Sequence, residues 1–171
     1  MMERVMIMGC SGSGKSTLST KLGQILNLPI IHLDKHYWRP DWVSTPDEEW
    51  HRIAQELTME DKWIIDGNYS GTMDIRVKRA DLIIYLDMPR WLCLYRVIKR
   101  RIIYHNKTRP DMHEGCLEKI DLEFLQWVWN FKRKNRKGIL EKLEQVNEEK
   151  EIIIINKPRQ LDELIKSLEK E

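Results

Sequence analysis

Gly9, Gly12, Gly14, Lys15 and Ser16 are the residues whose types and spacing most clearly define a chemistry. The stretch Gly9-Cys10-Ser11-Gly12-Ser13-Gly14-Lys15-Ser16 follows a short apolar run, Val5-Met6-Ile7-Met8, and opens a segment of helical periodicity. A backbone that wraps a chain of phosphates with its N–H groups inward needs glycines, because side chains obstruct those conformations. The helix N-terminus behind the loop adds unpaired donors and a dipole that favours anions. Lys15 has the reach and charge for the outer phosphates, and the Ser16 hydroxyl is placed to take a magnesium ion. The expected ligands are ATP and Mg2+, held by Gly9, Ser11, Gly12, Ser13, Gly14, Lys15, Ser16 and the adjoining Thr17.

Two aspartates follow apolar runs. Asp66 closes Trp63-Ile64-Ile65, and in a parallel sheet the carboxyl ends of strands line the ligand crevice. There it can hold magnesium opposite Ser16, while Gly67 lets the backbone come close; a turn or cap aspartate is the alternative. Asp34 ends Pro29-Ile30-Ile31-His32-Leu33 and can take a proton from an acceptor hydroxyl or orient it. It also fits an Asx-turn at a strand end. Tyr37, Trp38 and Trp42 come next, either as a stacking wall for an acceptor ring or as subdomain packing. The acceptor region is expected to draw on Asp34, Trp38, Arg39, Gly67 and Asn68.

Charge that spreads over a moving phosphoryl group calls for cations. Arg96, Lys99, Arg100 and Arg101 crowd one helical segment, with Arg109 in the loop beyond. Arg96 and Arg100 lie one turn apart on one face, and Arg100 and Arg109 are assigned to the phosphates. Lys99 and Arg101 read as a solvated face. The catalytic set is therefore Lys15, Asp34, Arg100 and Arg109. Trp127 and Trp129, two apart on a helix, cannot share a face, so at least one should border a cleft, a lid or a subunit contact.

These residues require strands that end together and helices that begin there. Apolar strands are expected at 5–8, 29–33, 63–65, 81–86 and 152–155, alternating with helices at 16–26, from Thr45 (N-cap) and Pro46, at 90–101, at 117–148 with a break near 135–138, and at 161–168. Strands alternating with helices indicate an α/β fold with a parallel sheet covered on both faces. The 171 residues suit one domain, 1–171, and 42% hydrophobic residues suffice for a core at that size. A net charge of +2 is far from that of a strongly nucleic-acid-binding domain. Three scattered cysteines fit neither a disulfide framework nor a zinc site, and Cys10 reads as a small loop residue. With no signal peptide or membrane-length apolar run, a cytoplasmic protein without membrane contact is expected.

With these residues in place the chain resembles the nucleoside-monophosphate-kinase-like group of P-loop kinases, which includes adenylate, shikimate and gluconate kinases. Within that group it resembles the topology-modulation (FlaR-like) proteins, on Gly-Cys-Ser-Gly-Ser-Gly-Lys-Ser-Thr at 9–17, His-Leu-Asp at 32–34, Ile-Ile-Asp-Gly-Asn-Tyr-Ser-Gly at 64–71, Leu-Asp-Met-Pro-Arg-Trp-Leu-Cys at 86–93, Lys107-Thr108-Arg109-Pro110 and Glu114-Gly115-Cys116. The resemblance implies a five-stranded parallel sheet in order 2-3-1-4-5, an acceptor-binding region at about 34–60 and an arginine-bearing lid at about 100–116. It also implies an adenine cradle at Asn156-Lys157-Pro158-Arg159. Adenylate kinases follow the third-strand Asp-Gly with an aromatic, a proline and an arginine; here Asn68-Tyr69-Ser70 stands instead. That departure points away from AMP and toward an acceptor held by Asp34, as in shikimate-type kinases.

The expected function is ATP- and Mg2+-dependent phosphoryl transfer to a small-molecule or nucleotide-like acceptor. The alternative is an ATP-binding regulator that affects DNA topology through nucleic-acid contact. The basic run Lys132-Arg133-Lys134-Asn135-Arg136-Lys137 would serve that alternative.

Overall fold

Val5, Met6, Ile7 and Met8 are fully or almost fully buried, since they form the middle strand of a sheet covered on both sides. A computed structural model of the chain describes residues 2–169. Strand β1 (Arg4–Gly9) runs into the glycine-rich loop and then helix α1 (Lys15–Leu26). Strand β2 (Ile30–His32) leads to the short helix α2 (Leu33–Tyr37) and a two-stranded hairpin, β3 (Trp38–Arg39) and β4 (Val43–Ser44). Helix α3 (Asp47–Met59), strand β5 (Trp63–Asp66), helix α4 (Met73–Arg79) and strand β6 (Leu82–Leu86) follow. Helix α5 (Arg90–Ile103) precedes an irregular loop and the long helix α6 (Leu122–Val146). Strand β7 (Glu151–Ile155) and helix α7 (Pro158–Leu168) complete the described chain.

The five main strands pair in parallel in the order β2-β5-β1-β6-β7. The expected 2-3-1-4-5 becomes 2-5-1-6-7 because the two hairpin strands enter the numbering. Side chains alternate between faces. Val5, Ile7, Ile64, Ile84 and Leu86 meet Leu18 and Leu22 of α1, Cys93 and Val97 of α5, and Ile165 of α7. Met6, Met8, Ile65 and Ile83 meet Leu33, Trp50 of α3, and Met73 and Val77 of α4. Helix α6 serves both layers, with Val128 and Phe131 in the first and Leu143 in the second.

Three local expectations change. The expected strand-end position of Asp34 is instead the first turn of α2, and a two-stranded hairpin follows that helix before Thr45. Thr45 does not cap α3. Its backbone N–H and hydroxyl both reach the carbonyl of Tyr37, at 2.9 and 2.7 Å, so the helix starts at Asp47 with Pro46 before it. The break near 135–138 is absent: α6 continues through Gly138. A mid-helix glycine costs about 1 kcal/mol relative to alanine, and Phe131 and Leu143, packed on either side of it, hold the helix together.

At the bottom of the sheet Asp81 ties β6 to β1, accepting from the backbone N–H of Arg4 at 2.9 Å and from its guanidinium at 2.7 Å. Burial alone would raise the Asp81 carboxyl, but the bonds from Arg4 and from the backbone of Glu3 and Arg4 outweigh it and hold it below the usual range. That depressed value stabilises the fold above an ordinary aspartate pKa of about 3.9, and the contribution disappears as pH falls through the folded value. D81N is expected to cost roughly 1–3 kcal/mol at neutral pH and to flatten the acid limb below pH ~4. Urea denaturation across pH 2–7 checks this; an unchanged acid limb refutes it.

Candidate active site

The loop after β1 is shaped by contacts that leave no room for side chains. Gly12 has φ +78°, and a Cβ there would lie 2.3 Å from the Cys93 carbonyl oxygen in α5. Gly67, at φ +140°, brings the turn after β5 against Leu33, so closely that a Cβ there would lie 2.8 Å from the Leu33 Cβ. Asn68 then accepts from the Gly9 N–H through Oδ1 at 3.0 Å. Lys15 curls over the loop, donating to the carbonyls of Gly9 and Cys10 at 2.9 and 3.1 Å. No side chain caps the N-terminus of α1, and an uncapped helix start presents unpaired donors that suit an anion.

Cys10 and Cys93 are both buried in the same core cluster, and the Cys10 thiol donates to the Val128 carbonyl at 3.7 Å. The neighbouring Cys93 and burial push the Cys10 thiol up, which makes it inert and agrees with its reading as a loop residue.

A cavity of about 800 Å³ opens beside the loop. Ser11, Lys15, Asp34, Arg100 and Arg109 all line it, as do Trp38, Gly67 and Asn68. Trp42, Phe124, Trp127 and Phe131 form much of its apolar wall, so Trp127 is the one of the tryptophan pair that borders the cleft. Trp42 is fixed by its indole N–H donating to the Leu117 carbonyl at 2.9 Å. Tyr37 packs instead between Trp38, Trp50 and Tyr69. Asp34 accepts from the Tyr69 hydroxyl at 2.5 Å through Oδ1. Burial and the Asp34 charge push the Tyr69 phenol up, so Tyr69 is the donor and Asp34 the oriented carboxylate.

Above the loop, α5 and the segment after it bring cations in. Arg96 donates to the Ser13 carbonyl at 3.1 Å, and Arg100 reaches the Ser11 hydroxyl at 3.4 Å. Arg100 and Arg109 share one carboxylate, Glu118, at 2.8 and 2.7 Å. The Glu118 side chain is only 1% exposed, and such a carboxylate is tolerable because two guanidinium groups flank it. Burial and the Arg109 charge lower Arg100, against the opposing pull of Glu118.

Beneath the loop, Asp66 accepts through Oδ2 from Ser19 at 2.6 Å and from His32 Nδ1 at 2.7 Å. Burial pulls His32 down, but the hydrogen bond and charge of Asp66 outweigh it and the imidazole ends above its ordinary value. The Ser16 hydroxyl donates to Asp111 at 2.7 Å.

Some expected residues are not brought to the cavity. Arg39 points away from it and pairs with both oxygens of Glu49 at 2.7 and 2.6 Å, so its placement among acceptor contacts is corrected. Thr17 is exposed on α1. Asn156 and Pro158 are exposed at the entry to α7, where the Asn156 and Lys157 N–H groups are occupied by Gln160 Oε1. The basic run on α6 is partly neutralised, since Lys132 and Arg136 pair with Asp87 at 3.0 and 2.8 Å. Sequence reasoning missed Asp111, Glu118, Ser19 and Arg76; only Asp111, directly after Arg109-Pro110, had a neighbour that could have flagged it.

The chain is similar to the uncharacterized protein YqaC of Bacillus subtilis (strain 168), 32% identical over 132 residues that cover 75% of this chain and 72% of that protein. It is also similar to threonine synthase-like 1 of Mus musculus, 22% identical over 142 residues, which are 73% of this chain but 19% of that protein. No protein-family model matches the sequence. Among solved structures, shikimate kinase from Acinetobacter baumannii in complex with shikimate aligns with a TM-score of 0.61 at 15% identity, over 98% of this chain and 90% of that one. A gluconokinase from Sinorhizobium meliloti 1021 aligns with a TM-score of 0.54 at 16% identity, over 97% and 89%. At these identities the likeness is one of fold, and that fold is the P-loop kinase fold. Among the described residues no helix is long and apolar enough to cross a membrane.

Proposed function

Because the chain belongs to the family of the Bacillus subtilis protein YqaC and has the fold of P-loop kinases, we propose that it transfers the terminal phosphoryl group of ATP to a hydroxyl of a small-molecule or nucleotide-like acceptor. The observation that carries this reading is the single cavity into which Lys15, Asp34, Arg100 and Arg109 all open. A nucleotide sensor has no need of an oriented carboxylate beside the phosphate loop. Lys15, the uncapped donors of α1 and the glycine cradle suit a triphosphate, and Ser16 with Asp66 nearby suits its magnesium. Magnesium there neutralises charge on the phosphate oxygens.

In this reading Asp34, its orientation fixed by Tyr69, holds the acceptor hydroxyl and takes its proton through the free oxygen. Arg100 and Arg109, held together by Glu118, face the charge that builds on the transferring group. Trp38, Trp42 and Trp127 form ring-shaped walls against which the acceptor's apolar face packs and from which water is displaced. The chain is proposed to act as one P-loop kinase-like domain, with an acceptor-binding region at about 34–60 and a lid at about 100–116. The finer resemblance to topology-modulation (FlaR-like) proteins belongs to the same proposal. Lys132 and Arg136 face Asp87, so no separate nucleic-acid reading is favoured.

ADP formation measured against hydroxy acids, sugars, nucleosides and nucleoside monophosphates tests the proposal. One class is expected to stimulate turnover, and D34N to lower kcat for it by about 10²–10⁴-fold. Stimulated turnover that survives D34N unchanged would remove Asp34 from its role. Absence of stimulation across all classes would count against the transferase.

A further inference from the structure

Asp111 has no part in the reading so far, yet it is the side chain that meets the Ser16 hydroxyl. Ser16 Oγ donates to Asp111 Oδ2 at 2.7 Å, across a separation of 95 residues. Arg109 fixes the same carboxylate, with NH1 at 3.2 and 3.0 Å from its two oxygens. The Asp111 side chain is 16% exposed, at the edge of the phosphate loop and not in solvent.

A carboxylate held on the hydroxyl that faces a triphosphate repels that triphosphate unless a cation stands between them. Among the described residues no cluster of three or more His, Cys, Asp and Glu can hold a metal ion by itself. Magnesium fits such a place, because it takes one or two carboxylates and completes its shell with phosphate oxygens and water. Asp66 is the more buried of the two nearby carboxylates, and its Oδ2 already accepts from Ser19 and His32.

We infer that Asp111 is the lid's ligand, directly or through a bound water, for the magnesium that enters with ATP at Ser16, an inference that rests on the nucleotide reading proposed above. The lid then presents opposite charges within three residues: Arg109 toward phosphate and Asp111 toward metal. Metal-free ATP satisfies the first and is repelled by the second, so the site distinguishes MgATP from ATP before any acceptor binds.

Calorimetric titration of the full chain with ATP plus Mg2+, and with ATP plus EDTA, tests this on wild type and D111N. The wild type is expected to bind ATP more tightly with Mg2+. In D111N that gain shrinks about 10–100-fold, while affinity in EDTA stays equal or rises because the repulsion is gone. Electron paramagnetic resonance of Mn2+ titrated into the protein–ATP complex must show the same loss of metal affinity. D111S, which keeps a hydroxyl beside Ser16 without charge, must match D111N, and both must melt close to wild type. A Mg2+ gain unchanged in both variants overturns the inference. So does tighter ATP binding by an equal factor with and without Mg2+, which would make Asp111 a mere stand-in for phosphate. Wild type that fails to bind ATP in either buffer overturns the nucleotide reading and this inference together. Wild type that gains from Mg2+ beside an unaltered D111N overturns the inference alone.

Discussion

If the proposed transfer is right, Lys15→Ala is expected to lower acceptor-stimulated ADP formation by at least about 10²–10³-fold in kcat and to leave the fold in place. The two halves of that expectation come from different observations. The Lys15 ammonium rests on the carbonyls of Gly9 and Cys10. Lys15 is only half-buried, so its removal lets water reach those oxygens and costs the fold roughly 1 kcal/mol or less. In the proposed reaction the same ammonium would meet phosphates whose charge grows during transfer, and no other residue of the loop carries a positive charge there. Turnover at saturating acceptor, set beside thermal melting of the same sample, separates the two effects. A variant that melts normally and turns over normally removes Lys15 from the chemistry.

Arg76→Ala is expected to have the largest effect on stability, roughly 3–5 kcal/mol. Arg76 is fully buried and donates to the carbonyls of Gly67, Asn68 and Tyr69 at 2.9, 2.5 and 2.9 Å. Burial lowers its pKa to about 10, so it remains charged at neutral pH. Without the guanidinium, three carbonyls of one turn lose their donor in a dry interior, and an unsatisfied buried acceptor carries its full desolvation penalty. That turn also presents Asn68 to the Gly9 N–H and Tyr69 to Asp34, so affinity for the proposed acceptor is expected to fall with stability. Arg76→Lys keeps the charge but cannot span three oxygens with one planar fork, and recovers only part of the loss. Chemical denaturation of the three proteins gives the comparison; a cost under ~1 kcal/mol for alanine would mean that the turn holds itself.

The glycine loop and the sheet around it are legible in the sequence because both are local. Val5 to Ser16 is one continuous strand, turn and helix start, and each main strand is an apolar run. The segment after α5 is legible only in its arginine. Glu118, which joins Arg100 to Arg109, stands after a loop with no periodic pattern, and nothing in its neighbours marks it as buried. Asp111 meets Ser16 only after the chain has folded back over 95 residues. Asp34 stands out by its type but not by its setting, because a mostly apolar run closing on an aspartate looks alike at a strand end and at a helix start. Arg39 reads as an acceptor contact because it follows Trp38, but successive side chains in an extended segment point to opposite sides, and Trp38 has the inward one.

Strand β1 is made before both of its partners and lies in the middle of the sheet. Its partners are Trp63 to Asp66 on one side and Leu82 to Leu86 on the other. During synthesis the phosphate loop therefore leaves the ribosome with neither neighbour available to hold it. At 5–20 residues per second the wait from Val5 to its partner Leu82 is roughly 4–15 s. For that interval an apolar stretch with bare backbone edges is exposed to other chains and to chaperones. Nucleotide cannot rescue it, because the cradle that would bind nucleotide is not yet built.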